Sequence, residues 1–358
     1  MSGDASLAGG QAATRIVAAP DKFRGTASAA AVAHAVAIAA SQVSCSVIEK
    51  PLADGGEGLL EIVGGEPRHA WVPGPLGEPV QAEWRLLDGA GRTAVIEMAR
   101  ASGLALIGGP DGNDPVNATT QGTGELIVAA LEEGVSRIIV GCGGSATTDG
   151  GLGMLNAVEG NPRIAGTDLV AATDVTTRFL DAAVVFGPQK GATAEQVAEL
   201  TERLQGLASE YRSRFGVDVV EVPGTGAAGG LGGAVVALGG RVVPGAAFVA
   251  DLVELDQAVA GASLVVTGEG CLDATSFQGK VVGEVVKRTP RGVPVLVVVG
   301  RTSGADGRLD DWLGDAADDV TVVSLVDEFG ERRAVTDTTE LVEAVVRRQL
   351  ATLCRRSE

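Results

Sequence analysis

Histidine is nearly missing. The 358-residue chain holds two, His34 in an Ala-rich helical stretch and His69 in a polar strand-like one. A histidine nucleophile relay or a His-rich metal centre therefore has nothing to be built from. Cysteine is also scarce: Cys45, Cys142, Cys271 and Cys354 lie far apart with no CxxC pair, which excludes a zinc ribbon and a disulfide framework and suits a reducing, cytoplasmic setting. Positive charge is short, with a formal net charge of −18, five lysines among 28 basic residues and no basic stripe, so neither nucleic acid nor an anionic membrane is an expected partner. Long apolar runs are absent too. The longest Ala/Val-rich run, 29–40, falls well below the roughly 18 residues that span a bilayer. Residues 1–14 are small and polar, carry Asp4, lack the basic and apolar regions of a signal peptide, and read as a flexible tail. Two nucleotide motifs are missing as well. Gly279-Lys280 lacks both an upstream Gly at the right distance and a following Ser/Thr to make a Walker A loop, and neither HRD nor DFG occurs.

What is present is Gly (52 residues) with much Ala and Val, apolar residues making up 45% of the chain and aromatics 3%. That mixture suits close-packed helices on a Val-rich sheet, and the length suits two domains. One local pattern recurs: a short β-branched run, a Gly-rich polar turn, then a helix-period segment, which is the βα unit. Strands are expected at 15–19, 43–48, 93–98, 137–141, 169–172, 182–186, 217–222, 263–267, 293–299 and 320–324. Helices are expected after Thr26 or Ser28, over 120–134, over 193–215 and over 338–353. Alternating strands with turn signals at 67–91 mark the start of an inserted domain.

The turns carry the chemistry. Asp21, Lys22 and Arg24 sit where a strand passes into a helix, whose free N–H groups favour an anion; a solvated loop is the competing reading. Asp54, Gly55, Gly56 and Glu57 put two carboxylates on a glycine-shaped turn that a metal or substrate hydroxyl could approach, or that merely needs glycine backbone. Gly143, Gly144, Ser145, Thr147 and Asp149 offer backbone N–H groups, hydroxyls and a carboxylate directly after a strand, a phosphate-nest arrangement. Close helix packing explains those glycines but not the hydroxyls. Gln189 with Lys190, and Glu269 and Asp273 with Lys280, place further polar groups in turns. The glycines around Gly226 match GxGxxG after a possible strand; dinucleotide binding, helix packing and ligand cradling are its three readings.

At these positions the chain resembles the bacterial glycerate kinase family that is distinct from P-loop kinases. The stretches that carry the resemblance are APDKFRG (19–25), PLADGGEG (51–58), TAVIEMARASGLAL (93–106), GGSATTDGG (143–151), VFGPQKGAT (185–193), PGTGAAGGLG (223–232) and GEGCLDATSFQGK (268–280). The resemblance implies a two-domain α/β fold: a discontinuous Rossmann or flavodoxin-like domain at 15–66 and 258–356, a second α/β domain inserted at 67–257, and an active site in the cleft between them. It implies ATP and Mg²⁺ as cofactors and D-glycerate as substrate, with 2-phosphoglycerate the favoured product. Two departures stand out. The segment after Leu155 is shorter than in the family, and Cys271 stands where the family usually has Arg.

Phosphoryl transfer needs charge neutralisation, an in-line hydroxyl and a bridging cation. On the resemblance, Asp54 or Asp149 would deprotonate the substrate hydroxyl, while Glu269 and Asp273 would help hold Mg²⁺. Arg24, Lys190 and Lys280 would meet phosphates or the glycerate carboxylate; Asp21, Lys22, Glu57, Ser145, Thr147, Asp174 and Gln189 would complete the substrate and nucleotide contacts. Two rivals remain at this point: a nucleotide-binding paralogue with impaired turnover, and an NAD-dependent oxidoreductase built on the glycines near 226.

Overall fold

Short apolar runs bounded by glycine become strands, and the small residues after them become tight turns into helices. The computed structural model describes residues 14–89, 91–303 and 313–356; apart from Thr14, the expected N-terminal tail lies outside the described residues. In chain order the described strands are β1 (Arg15–Ala18), β2 (Ser46–Glu49), β3 (Glu66–Pro73), β4 (Pro79–Leu87), β5 (Thr93–Glu97), β6 (Arg137–Gly141), β7 (Asp168–Ala172), β8 (Arg241–Val243), β9 (Leu264–Leu272), β10 (Val295–Thr302) and β11 (Val320–Ser324). They form two sheets in two compact units. The first unit takes in the chain up to Pro51, Glu254–Ala274 and the chain from Val285 onward; the second takes in Leu52–Val253 and Thr275–Glu284.

The first unit is built on an all-parallel sheet in the order β11-β10-β9-β1-β2. The inner strands β1, β9 and β10 are buried on both faces and accordingly read as continuous apolar runs, with Ile16, Val17, Leu264, Val265, Val297 and Val298 at 1% exposure or less. The chain runs outward from β1 to β2, then returns on the other side of β1 through β9, β10 and β11. Strand order thus reverses between β1 and β9, the position where ligand crevices open in such sheets. Ser28 caps helix Ala29–Ser41, its hydroxyl accepting from Ala31 N at 3.2 Å. That helix is alanine-rich because its buried face, Val32, Ala33, Val36, Ala39 and Ala40, packs into the same core as Leu341, Val342, Val345 and Val346 of helix Thr338–Arg356.

The second unit carries a mixed sheet, β3-β4-β5-β6-β7-β8, parallel from β5 to β8 and extended by antiparallel β4 and β3. Helix Ala194–Phe215 begins with a capping box, in which Thr193 Oγ1 accepts from Gln196 N and Gln196 Oε1 from Thr193 N. Among the described residues no helix is long and apolar enough to cross a membrane.

Three expected elements differ. Residues 182–186 form a helix, Ala182–Phe186, rather than a strand. Its Ala182 and Ala183 are buried, whereas Val184 and Val185 are 60% and 51% exposed, so a β-branched pair faces solvent where a strand interior would have buried it. Residues 217–222 form no strand. Strand β9 continues through Leu272, paired with β10 as far as Thr302, so Glu269 and Cys271 lie on a strand instead of in a loop.

Candidate active site

In the second unit the turn carrying Asp54 sits on the carboxyl ends of β6 and β7, and glycine is what lets it do so. A Cβ on Gly55, whose φ is +82°, would lie 2.8 Å from the Ala172 carbonyl oxygen. A Cβ on Gly143 would lie 2.5 Å from Gly56 Cα, and one on Gly245 2.2 Å from the Asp54 carbonyl oxygen. Backbone therefore meets backbone on three sides. Asp54 is half-buried and accepts from Gly56 N at 3.1 Å, while Glu57 is exposed. The turn is organised from below by Glu97, the last residue of β5 and 2% exposed. Its Oε1 accepts from Gly58 N (2.9 Å) and Leu60 N (3.1 Å), and its Oε2 from Arg100 Nε (3.0 Å). Glu97→Ala strands two backbone donors at the head of helix Leu59–Val63. A loss of about 2–4 kcal/mol is expected in urea unfolding, with Glu97→Gln, which keeps one acceptor oxygen, losing less than half as much.

The loop after β6 follows the same edge. Leu104 N donates to Gly144 O at 2.9 Å and Ala146 N to Ser102 O at 2.9 Å, holding the loop as a short backbone ladder. Gly144 turns it with φ +70°. Ser145 is 9% exposed, and among the described residues its hydroxyl has no hydrogen-bond partner. Thr147 is fully buried, its hydroxyl donating to Ala228 O at 3.5 Å. Asp149, 8% exposed, is enclosed by donors: Oδ2 accepts from Thr120 N (2.8 Å), Thr120 Oγ1 (2.8 Å) and Gly153 N (3.1 Å), and Oδ1 from Gly151 N (3.0 Å). Its carboxylate ties together the starts of helices Gln121–Glu132 and Leu152–Val158.

The other expected residues of this unit are placed as follows. Asp174 accepts from Ala246 N through both oxygens (3.0 and 3.2 Å), at the start of helix Gly245–Leu252. Gln189 is exposed. Lys190 is 4% exposed and donates to the Thr147 carbonyl at 2.6 Å; burial pushes its ammonium down to about 7, against the upward pull of Asp149. Lys280 precedes helix Val281–Arg288, its carbonyl accepting from Glu284 N. Gly226 abuts the Arg178 carbonyl, which a Cβ would approach to 2.3 Å, and Gly229 abuts the Thr147 carbonyl at 2.0 Å. The GxGxxG glycines thus serve chain packing, and the described residues directly before them, 217–222, form no strand. The dinucleotide reading loses both of its supports. Burial raises the Cys142 thiol to about 12, which leaves it an inert core residue.

In the first unit the expected residues meet at the β1/β9 reversal. Asp21 N donates to Gly268 O at 2.8 Å, and a Cβ on Gly270 would lie 3.1 Å from Arg24 N, so the turn after β1 rides on β9. Asp21 is 9% exposed and pairs with Lys22 Nζ at 3.7 Å, while Arg24 is exposed. Glu269, also 9% exposed, lies on β9, and half-buried Asp273 follows its end. Among the described residues no group of three or more His, Cys, Asp or Glu could hold a metal. Glu269 on β9 and Asp273 just past its end are hard oxygen donors of the kind that suits Mg²⁺ arriving with a nucleotide, because that ion takes few protein ligands beside phosphate and water.

An open cavity of about 780 Å³ lies elsewhere in the second unit, walled by Trp71, Gln121, Glu125, Asn156 and Arg203 among others. Of the expected residues only Asp149 lines it. Its walls are mostly helix faces, and the Asp149 carboxylate is engaged by backbone donors.

Acids, an open hydroxyl and glycine turns gathered at the carboxyl ends of parallel strands define an α/β enzyme for a small polar substrate. A profile of the Glycerate kinase family matches residues 16–161 and 157–353, its two parts meeting where helix Leu152–Val158 ends. The chain is 39% identical over 327 residues to glycerate 2-kinase of Escherichia coli (strain K12), covering 80% of this chain and 85% of that one. To glycerate kinase of Bacillus subtilis (strain 168) it is 37% identical over 328 residues, covering 81% and 85%. A crystal structure from Salmonella typhimurium LT2, provisionally described as glycerate kinase 2, superposes with a TM-score of 0.79 at 35% identity, covering 97% of this chain and all of that one. The chain belongs to the glycerate kinase family and is a phosphotransferase.

Sequence reasoning passed over Glu97, Thr120 and Asn113. Glu97 had a usable sign, since an acid closing an apolar strand lies at the ligand edge of a parallel sheet. Thr120 and Asn113 had none, because their partners lie 29 to 77 residues away.

Proposed function

We propose that this protein transfers the γ-phosphoryl group of ATP to the 2-hydroxyl of D-glycerate, giving 2-phosphoglycerate and ADP. The observation that supports this most is the Asp54 turn seated on the ends of β6 and β7, next to the loop that carries the unpartnered Ser145 hydroxyl. Asp54 takes the proton as the glycerate oxygen forms its bond to the γ-phosphorus and the bond from that phosphorus to the ADP oxygen breaks. Ser145 and the amides around Gly143 and Gly144 hold the glycerate carboxylate, with Glu57 and Gln189 at its rim. In the first unit Lys22 and Arg24 neutralise the triphosphate, and Asp21 orients Lys22; in the second unit Lys280, ahead of helix Val281–Arg288, is a further cation for an anionic ligand. Glu269 and Asp273 would hold Mg²⁺, which shields the phosphate charge when bound. Asp149 and Asp174 build the site by tying down backbone. The free thiols of Cys45, Cys142 and Cys271 support a cytoplasmic setting.

A coupled assay of ADP release tests the reading with D-glycerate, L-glycerate and no acceptor, the phosphate position being read by NMR. Turnover with D-glycerate alone and phosphate on C2 is expected. Stabilisation by Mg-ATP against heat with no glycerate-dependent ADP would instead favour a paralogue without turnover.

A further inference from the structure

At the loop that follows β6, two hydrogen-bond donors reach across from distant segments, buried Lys190 and half-buried Asn113. Lys190 Nζ donates to the Thr147 carbonyl at 2.6 Å and lies 5.9 Å over the Phe186 ring. Asn113 Nδ2 donates both to the Ala146 carbonyl (3.0 Å) and to the Lys190 carbonyl (2.8 Å), tying the same loop to the same short turn. Gly229 packs against the same carbonyl, where a Cβ would lie 2.0 Å from the Thr147 oxygen, so the loop is closely packed around the atom that Lys190 holds. At 4% exposure, Lys190 has almost no surface left for a phosphate.

We propose that Lys190 is a positioning residue: it holds the loop from Gly143 to Asp149 through the Thr147 carbonyl, and thereby presents Ser145 and the neighbouring amides to the acid substrate. This differs from the direct phosphate contact that its sequence setting suggests. The substrate side of the inference rests on the kinase reading; the latch itself does not.

The latch is sensitive to pH. With its ammonium at about 7, Lys190 is charged and a strong donor below that pH and a neutral, weaker donor above it. Asp149 is the charged group that acts on it, raising its pKa. Tyr211, which donates to Gly150 O at 2.9 Å, has its phenol pushed upward by burial and stays neutral throughout. The linkage to stability follows from the depressed value. The unfolded lysine holds its proton up to about 10.5, so between about 7 and 10.5 the unfolded state binds more protons and this group makes stability rise with pH. Below 7 the burial penalty is fully present.

Lys190→Met removes the donor while keeping the shape. Because it also removes a buried charge, its melting temperature should equal or exceed that of the wild type at pH 6. Amide exchange in peptides covering 143–151 should be faster than in the wild type. The KM for D-glycerate should rise about ten- to a hundredfold with kcat changed far less, the size expected for a lost charged hydrogen bond. The wild-type KM should rise through pH 7, and the variant's should not. Lys190→Gln, a neutral donor, should give intermediate KM values flat in pH, and it carries the test if the Met variant does not fold. Unchanged exchange in 143–151 in both variants overturns the latch. So does a KM that still titrates near pH 7 without the lysine. A wild type inactive on glycerate removes the kinase reading, and the exchange measurement still decides the latch.

Discussion

Asp149→Ala should lose on the order of 3–5 kcal/mol of stability and roughly 10 °C in melting temperature. The carboxylate is almost wholly enclosed and accepts from three backbone N–H groups and one hydroxyl, so its removal leaves buried donors in two helix starts and a glycine turn at once. Asp149→Asn should fall between the wild type and Ala, because the amide keeps one oxygen but turns its own N–H groups toward donors. Well below its lowered midpoint the Ala variant should keep turnover within about tenfold of the wild type, the outcome expected of a residue that holds the loop rather than one that takes the substrate proton. Thermal melts and low-temperature initial rates check both halves.

Asp54→Asn should behave in the opposite way. The amide oxygen still accepts from Gly56 N, and the contacts of Gly55, Gly143 and Gly245 that seat the turn are with backbone, so the melting temperature should move by no more than about 2 °C. The amide cannot take a proton from the substrate hydroxyl. A drop in kcat of about 10² to 10⁴ is expected with nucleotide affinity largely intact. Steady-state rates against ATP and D-glycerate, with Mg-ATP binding measured by calorimetry, separate the two parameters.

The contrast between these two aspartates marks where the sequence was readable. Turns at strand ends could be read because glycine and small polar residues are needed there in runs, and 51–58, 143–151 and 19–25 all lie at the carboxyl ends of strands or ride on them. Both carboxylates looked equally able to serve as a base. Nothing local to Asp149 reveals that Thr120 and two glycine amides enclose it, and nothing local to Lys190 reveals that its acceptor is a carbonyl 43 residues upstream. Secondary structure failed for a related reason. The run 182–186 is apolar but short, and at that length periodicity does not separate strand from helix. What decides it is the turn Phe179–Asp181 that starts the helix and the burial of the two alanines alone. At 268–272 the glycines pointed to a loop, yet a Cβ on Gly268 would lie 1.9 Å from the Val298 carbonyl oxygen, and the strand continues because glycine lets β9 and β10 approach so closely.

Two acids on one sheet divide the labour in the proposed reaction: a proton acceptor on the turn at 54 and a structural anchor at 149. Parallel measurement of kcat and unfolding midpoint for Asp54→Asn and Asp149→Ala tests it most directly. The account predicts a crossed result, with turnover lost at unchanged stability in the first and stability lost with residual turnover in the second. Full turnover in the Asp54→Asn protein, with the Asp149 variant stable but inactive, would contradict it.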